Sequence, residues 1–280
     1  KIRVTKNRKP SIWTFDGSST GQANPNKSDL LLRPVRVYHH PFYRRGKLVL
    51  CEVLYPDKSP HPTNKRRELQ ELYQKIKREK PLIGLEQEYI LLKDGKPLAK
   101  SVSKVRNAYC QVGSDIVGRK IAESHLRACI EAGVNISGIN AEVTPAQWEY
   151  QIGPTDPLRA ADDLWMSRYL LYRICEMHGM EPSFDPKPIK DRHGSGCHIN
   201  ISLRRTRNKH FDEWIEEIIE KDILPRFSDW GSDLKESIKY FREGFLLGAV
   251  LIAGRVITAS LDKINSKIPK RIRKSRFQEC

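Results

Sequence analysis

The feature that most constrains the fold is an alternation with a period of two. It sets acidic and amide side chains on one side of the chain and large apolar ones on the other. In Gly84-Leu-Glu-Gln-Glu-Tyr89 an extended backbone sends Glu86 and Glu88 to one face and Leu85 and Tyr89 to the opposite one. Residues 147–152 repeat the pattern, with Gln147, Glu149 and Gln151 opposite Trp148, Tyr150 and Ile152. Residues 196–203 do so again, with His198, Asn200 and Ser202 opposite Cys197, Ile199, Ile201 and Leu203. Two carboxylates on one face repel each other and call for a cation, a basic side chain or a shared proton. A single Glu-x-Glu also fits the solvated side of a sheet; recurrence in three segments favours a shared polar face with chemistry on it. Oxygen ligands with at most one imidazole suit Mg²⁺ or Mn²⁺, whereas a structural zinc site shows thiolates at short spacing. Hard divalent cations in turn point to phosphate chemistry.

With 280 residues, 39% hydrophobic and 30% charged, the chain can bury the core of one large domain or one and a half smaller ones. Its six cysteines, at 51, 110, 129, 175, 197 and 280, contain no C-x-x-C and indicate neither a zinc ribbon nor a disulfide framework. Reduced thiols and a cytoplasmic location are the expectation. The chain begins with Lys, shows no signal-type segment, and its longest apolar run, residues 245–253, is too short to span a bilayer, so no membrane partner is expected. A net charge of +16 attracts polyanions, either nucleic acid or nucleotide phosphates. There is no G-x-x-x-x-G-K-[ST] loop, no recognition helix and no aromatic RNA-binding motif, so nothing supports a nucleic-acid partner.

Strands are expected at Ser11–Phe15, Leu30–Val37 and Lys47–Leu54, with a tight turn at Asp16-Gly17-Ser18-Ser19 and exposed imidazoles at His39 and His40. The Pro-rich stretch 56–62 marks a boundary, giving domains at 1–57 and 58–262 and a basic tail at 263–280. Thr63-Asn64 can cap a helix carrying Leu69, Leu72, Tyr73 and Ile76. A second helix, about 115–131, should bury Ile121, Ala122, Leu126, Cys129 and Ile130 and end at Gly133. After a strand over Asn135–Val143, Thr155 is the expected cap of a long helix with Pro157 in its first turn, Gly179 at its end and a core stripe of Leu164, Trp165, Leu171, Ile174 and Cys175. Further helices are expected around Phe211–Ile219 and 232–261. Antiparallel strands interspersed with long helices make the fold class α+β.

Longer motifs carry a resemblance. Trp13-Thr-Phe-Asp16-Gly-Ser-Ser-Thr-Gly-Gln22, Gly84-Leu-Glu-Gln-Glu-Tyr89, Asn140-Ala-Glu-Val143, Pro145-Ala-Gln-Trp-Glu-Tyr-Gln-Ile-Gly-Pro154, Phe184-Asp-Pro-Lys-Pro188 and Gly194-Ser-Gly-Cys-His-Ile-Asn200 resemble the glutamine synthetases of the eukaryotic type, over about residues 11–221. The resemblance implies a partial β-grasp domain followed by a catalytic domain whose curved antiparallel sheet is backed by helices. It implies ATP-dependent ligation of ammonia to glutamate through γ-glutamyl phosphate, with ATP and two or three Mg²⁺ or Mn²⁺. Glu88, Glu142 and Glu149 would hold one ion, and Glu86 and His198 another. Glu149, Tyr150, Gln151, Ile152, Gly153 and Pro154, with Asn200, Ile201 and Ser202, match nucleotide-contacting positions. Asp16 matches the base that takes a proton from ammonium, with Tyr109 and Glu142 completing that pocket, and His193 and Gly194 match the glutamate-binding turn. A homo-oligomer of stacked rings with shared active sites is implied. His193 stands where the family has Asn, residues 99–107 replace a Gly/Pro-rich stretch, and no N-R-x-x-S-x-R motif follows residue 221. A catalytically impaired relative that keeps metal and nucleotide binding is therefore the alternative.

Overall fold

The computed structural model describes residues 9–98, 107–113, 116–189, 194–204 and 207; the expected helices beyond 207, the basic tail and His193 lie outside them. The α+β expectation holds. A small antiparallel sheet pairs β1 (Trp13–Asp16), β2 (Asp29–His39) and β3 (Lys47–Leu54) in that order. The larger sheet is built on β4 (Leu82–Lys93). Its partners are β5 (Lys96–Pro97), β7 (Gln147–Thr155), β8 (Glu181–Ser183) and β9 (Cys197–Ser202), and β6 (Ile136–Ala141) pairs with β7. Every pairing is antiparallel. Among the described residues three α-helices accompany the sheets: α1 (Lys65–Ile76), α2 (Arg119–Ala132) and α3 (Pro157–Met177).

The alternation works as expected in β4 and β7. Leu85, Tyr89, Trp148, Tyr150 and Ile152 enter one core with Ile121, Ala122 and Cys129 of α2 and Met166, Leu170, Leu171 and Ile174 of α3. Burying each large apolar side chain contributes about 1.5–3 kcal/mol. The opposite face of the same strands stays polar, and this two-sidedness positions the site.

Several local expectations are corrected. The cap of α3 is Asp156, whose side chain accepts from the Arg159 N–H, while Thr155 is the last residue of β7. Trp165 is 63% exposed, because the inward positions of α3 are taken by Asp162, Asp163, Met166, Ser167 and Leu170. The rest of the expected stripe is inside, with Leu171, Ile174 and Cys175 buried and Leu164 packed against the core, so Trp165 alone is misplaced. In α2 Ile130 faces outward and His125 is buried in its place. The imidazole Nε2 of His125 pairs with the Ser167 carbonyl at 2.9 Å, and burial pulls its pKa down to about 4, so the ring is neutral. Gly133 closes α2 at φ 82°, donating to the carbonyls of Cys129 and Ile130. His40 is not simply exposed, since its Nδ1 accepts from the Phe42 N–H and its ring packs on Phe42 and Tyr43. No residue of α1 is buried among the described residues, and Asn64 gives its side chain to Glu52 Oε2 rather than to a cap. On β9, Ile199 and Ile201 are likewise exposed, so this strand's apolar face is not covered by described residues.

Candidate metal centre

Cross-strand register brings the acidic residues together. In the β4–β7 pair Glu88 lies directly opposite Glu149, in the β4–β9 pair Glu86 lies opposite His198, and in the β6–β7 pair Asn140 lies opposite Glu149. Directly opposed side chains in antiparallel strands have Cβ atoms about 4.5–5.5 Å apart, and like charges there are destabilising. Glu142, just past β6, joins them because its N–H donates to the Gln147 carbonyl and brings the chain back over β7.

Two groups result, each with one ligand atom per residue and all atoms within 4.8 Å of one another: Glu88 with Glu142 and Glu149, and Glu86 with Glu149 and His198. Glu149 belongs to both. An oxygen-rich set with one imidazole at these separations fits Mg²⁺ or Mn²⁺.

The carboxylates are held by neutral donors. Glu88 Oε2 accepts from Gln147 Nε2 at 2.9 Å and from the Gly196 N–H at 3.0 Å. Asn200 Nδ2 donates to Glu86 Oε1 at 2.7 Å, and Asn140 Nδ2 to Glu142 Oε1 at 3.0 Å. Gln151 Nε2 donates to both Asn140 Oδ1 (2.7 Å) and Glu149 Oε1 (2.5 Å). The imidazole of His198 lies beside them, its Nδ1 3.5 Å from Glu86 Oε2; among the described residues no Lys or Arg pairs with any of the four glutamates. Burial raises the pKa of Glu142 and of Glu149, and the neighbouring carboxylates add to both shifts.

The remaining sequence-predicted residues divide. The Ala108 N–H donates to the Val143 carbonyl and the Cys110 N–H to the Ala141 carbonyl, which sets Tyr109 beside Glu142. The phenol pKa is raised, first by Cys110 and then by Glu142. Gly194 offers its carbonyl to Gln147 Nε2, and a Cβ on it would collide with the Pro186 carbonyl. Gln151, Asn200 and Ser202 share the polar side of the sheet by strand alternation, whereas Tyr150 and Ile152 are core residues, so any ligand contact of theirs falls to backbone. Gly153, at φ 92°, and Pro154 follow at the end of the strand. Ile201 lies on the other face of β9 and is exposed. Asp16 belongs to the small sheet. Its carboxylate accepts from Ser18 and Ser19, which hold its pKa at about 2, and its hydrogen bonds stay in its own loop. Gln147, which bonds both Glu88 and the Gly194 carbonyl, is absent from the expected site residues; the signal available was its place on the same polar stripe as Glu149.

Fold and site together define an antiparallel sheet with carboxylates and one imidazole on its open face and helices on its back. The model of the family described as "Glutamine synthetase, catalytic domain" matches residues 63–218. Mouse glutamine synthetase is 44% identical over 217 residues, covering 75% of this chain and 58% of its own length. The Streptomyces viridochromogenes enzyme is 45% identical over 71% of this chain and 60% of its own. The Schizosaccharomyces pombe enzyme is 41% identical over 96% of this chain and 76% of its own, so that similarity extends past residue 221, where the legible motifs stop. The chain belongs to the glutamine synthetase family. It spans about 58% of the length of the mouse relative. A solved structure described as "Apo GmaS without ligand" shares the fold at a TM-score of 0.60 and 19% identity, over 68% of this chain and 47% of that one.

Proposed function

We propose that the chain carries out ATP-dependent ligation of ammonia to glutamate, forming glutamine through γ-glutamyl phosphate. The observation that supports this most is the convergence of Glu86, Glu88, Glu142, Glu149 and His198 on one sheet face, with no Lys or Arg among the described residues paired with the glutamates. Bound divalent cations would neutralise charge on the transferring phosphoryl group and on the carboxylate that receives it.

In this reading Glu88, Glu142 and Glu149 hold one ion near glutamate and ammonium, and Glu86 and His198 hold another on the ATP phosphates, with two or three Mg²⁺ or Mn²⁺ in all. The polar edge from Glu149 to Pro154, together with Asn200, Ile201 and Ser202, receives the nucleotide. His193 and Gly194 form the glutamate turn. Glu142 and Tyr109 border the ammonium pocket, where an anionic carboxylate and a phenol oxygen can both accept N–H bonds. Asp16 takes the ammonium proton from a neighbouring subunit's loop in a ring-shaped homo-oligomer. At a pKa of about 2 it is a weak base, so this role requires it to give up its bonds to Ser18 and Ser19 first. The site is cytoplasmic in this reading; among the described residues no helix is long and apolar enough to cross a membrane.

The test is ADP release from the full chain, expected to require both Mg²⁺ and glutamate and to fall by about a thousandfold or more in Glu88→Ala. No N-R-x-x-S-x-R motif follows residue 221, which favours one other reading, a subunit that binds nucleotide without turnover. Retained ATP binding with no glutamate-dependent ADP release would establish that reading instead.

A further inference from the structure

We propose that Gln147 is a positioning residue that fixes the carboxylate of Glu88 for ion binding and ties it to the turn at Gly194–Gly196; the inference rests on the ion-holding reading of the cluster. Gln147 is only 2% exposed. Its Nε2 faces three acceptors: Glu88 Oε2 at 2.9 Å, the Gly194 carbonyl at 3.0 Å and Ser195 Oγ at 3.3 Å. Its Oε1 is buried with no partner. Buried amide oxygens are rarely left unsatisfied, and turning this amide over would point Oε1 at a carboxylate oxygen, so the acceptors fix its orientation.

The consequence for Glu88 is directional. Gln147 and the Gly196 N–H both donate to Oε2, which leaves Oε1 as the oxygen offered to an ion. A second amide secures the same turn from the reverse face of β4. Gln87 Nε2 donates to the Gly196 carbonyl at 3.1 Å and to the Glu88 carbonyl at 2.8 Å, while Arg168 Nε donates to Gln87 Oε1 at 2.9 Å. Glu88 and the Gly194 turn are therefore tied to each other, and among the described residues Gln147 is the side chain that bonds both the Glu88 carboxylate and the turn. Hydrogen bonds of this kind to metal-ligating carboxylates typically govern affinity by about 10–100-fold.

The experiment is Mn²⁺ titration of the full chain followed by electron paramagnetic resonance, with Gln147→Met introduced into two backgrounds. In Glu86→Gln, where Glu88, Glu142 and Glu149 remain, Mn²⁺ affinity is expected to fall about 10–100-fold. In Glu88→Gln, the same substitution is expected to change affinity by less than about threefold, because its partner is already altered. No change in the first background overturns the proposal, and so does an equal loss in both, which marks a purely structural role. A parent protein that binds no Mn²⁺ overturns the cluster reading and this inference together. Binding by the parent with an unaffected Gln147→Met overturns the positioning role alone. If Gln147→Met lacks a cooperative unfolding transition, Gln147→Asn is measured by the same criteria, since it keeps the amide in the strand but withdraws it by one methylene.

Discussion

Two acidic clusters in this molecule use the same chemical groups to opposite ends. On α3, Asp162 and Asp163 are 2% and 0% exposed, and each is neutralised from within. Asp162 accepts from Arg36 Nε at 2.8 Å and from Arg66 Nε and Nη2 at 2.8 and 3.0 Å. Asp163 accepts from Tyr38 Oη at 2.7 Å, Arg159 Nε at 2.6 Å and the Asn135 N–H at 2.8 Å. This cluster joins the small sheet, through β2, to α3, α1 and the start of β6. On the sheet face, by contrast, four glutamates meet with amides and a single imidazole around them. Burial of an acid says little by itself. What separates a structural acid from one awaiting a cation is whether the fold supplies the positive charge.

The largest effect should come from breaking the self-neutralised cluster. Asp162→Ala leaves two part-buried guanidinium groups without their carboxylate and is expected to cost about 3–5 kcal/mol in urea unfolding. Protein that still folds should retain its Mn²⁺ affinity; loss of ion binding together with stability would erase the distinction between the clusters. Tyr38→Phe is gentler. It removes one of three donors to Asp163, and a hydrogen bond to a charged group is worth about 1.5–3 kcal/mol, so a loss toward the lower end is expected. The same substitution should also abolish the titration of a phenol whose pKa is raised by burial and by Asp163.

How much of this was legible in the sequence follows from how local the cause is. The period-two strands and the pairing of Glu86 with Glu88 on one face needed only the backbone repeat; β4, β7 and β9 are where the alternation puts them, and β2 and β3 contain the strands expected at 30–37 and 47–54. The register that sets Glu88 against Glu149 and Glu86 against His198 is a tertiary fact, and only the motif resemblance carried it in advance. The α3 network was not legible at all. Most partners of Asp162 and Asp163 lie far away in sequence, at Arg36, Tyr38 and Arg66. Trp165 was misplaced at the edge of a stripe that otherwise lies in the core, because Asp162, Asp163 and Ser167 take inward positions beside Leu171, Ile174 and Cys175.

The smallest predicted effect separates the clusters most sharply, because it changes sign. Burial raises the pKa of Glu149 first, and the carboxylates of Glu142, Glu86 and Glu88 raise it further, against the Gln151 hydrogen bond. A carboxyl that holds its proton more firmly when folded contributes stability that is fully present below its unfolded pKa and is lost as pH rises through the folded one. At neutral pH with EDTA the ionised Glu149 is therefore a liability, and Glu149→Gln should raise the melting temperature by on the order of 1–3 °C, with the difference vanishing in acid. Saturating Mn²⁺ should reverse the order, because the ion stabilises the parent through the carboxylate that the variant lacks. Asp16 titrates with the opposite sign: its pKa is held at about 2 by Ser18 and Ser19, so its contribution is present above the unfolded value and is lost as pH falls through the folded one. Parent and variant share that term, and it cancels in their difference. Should Glu149→Gln melt below the parent in EDTA at neutral pH, Glu149 would be a structural acid of the Asp162 kind, and the contrast between the two clusters would fail at its central residue.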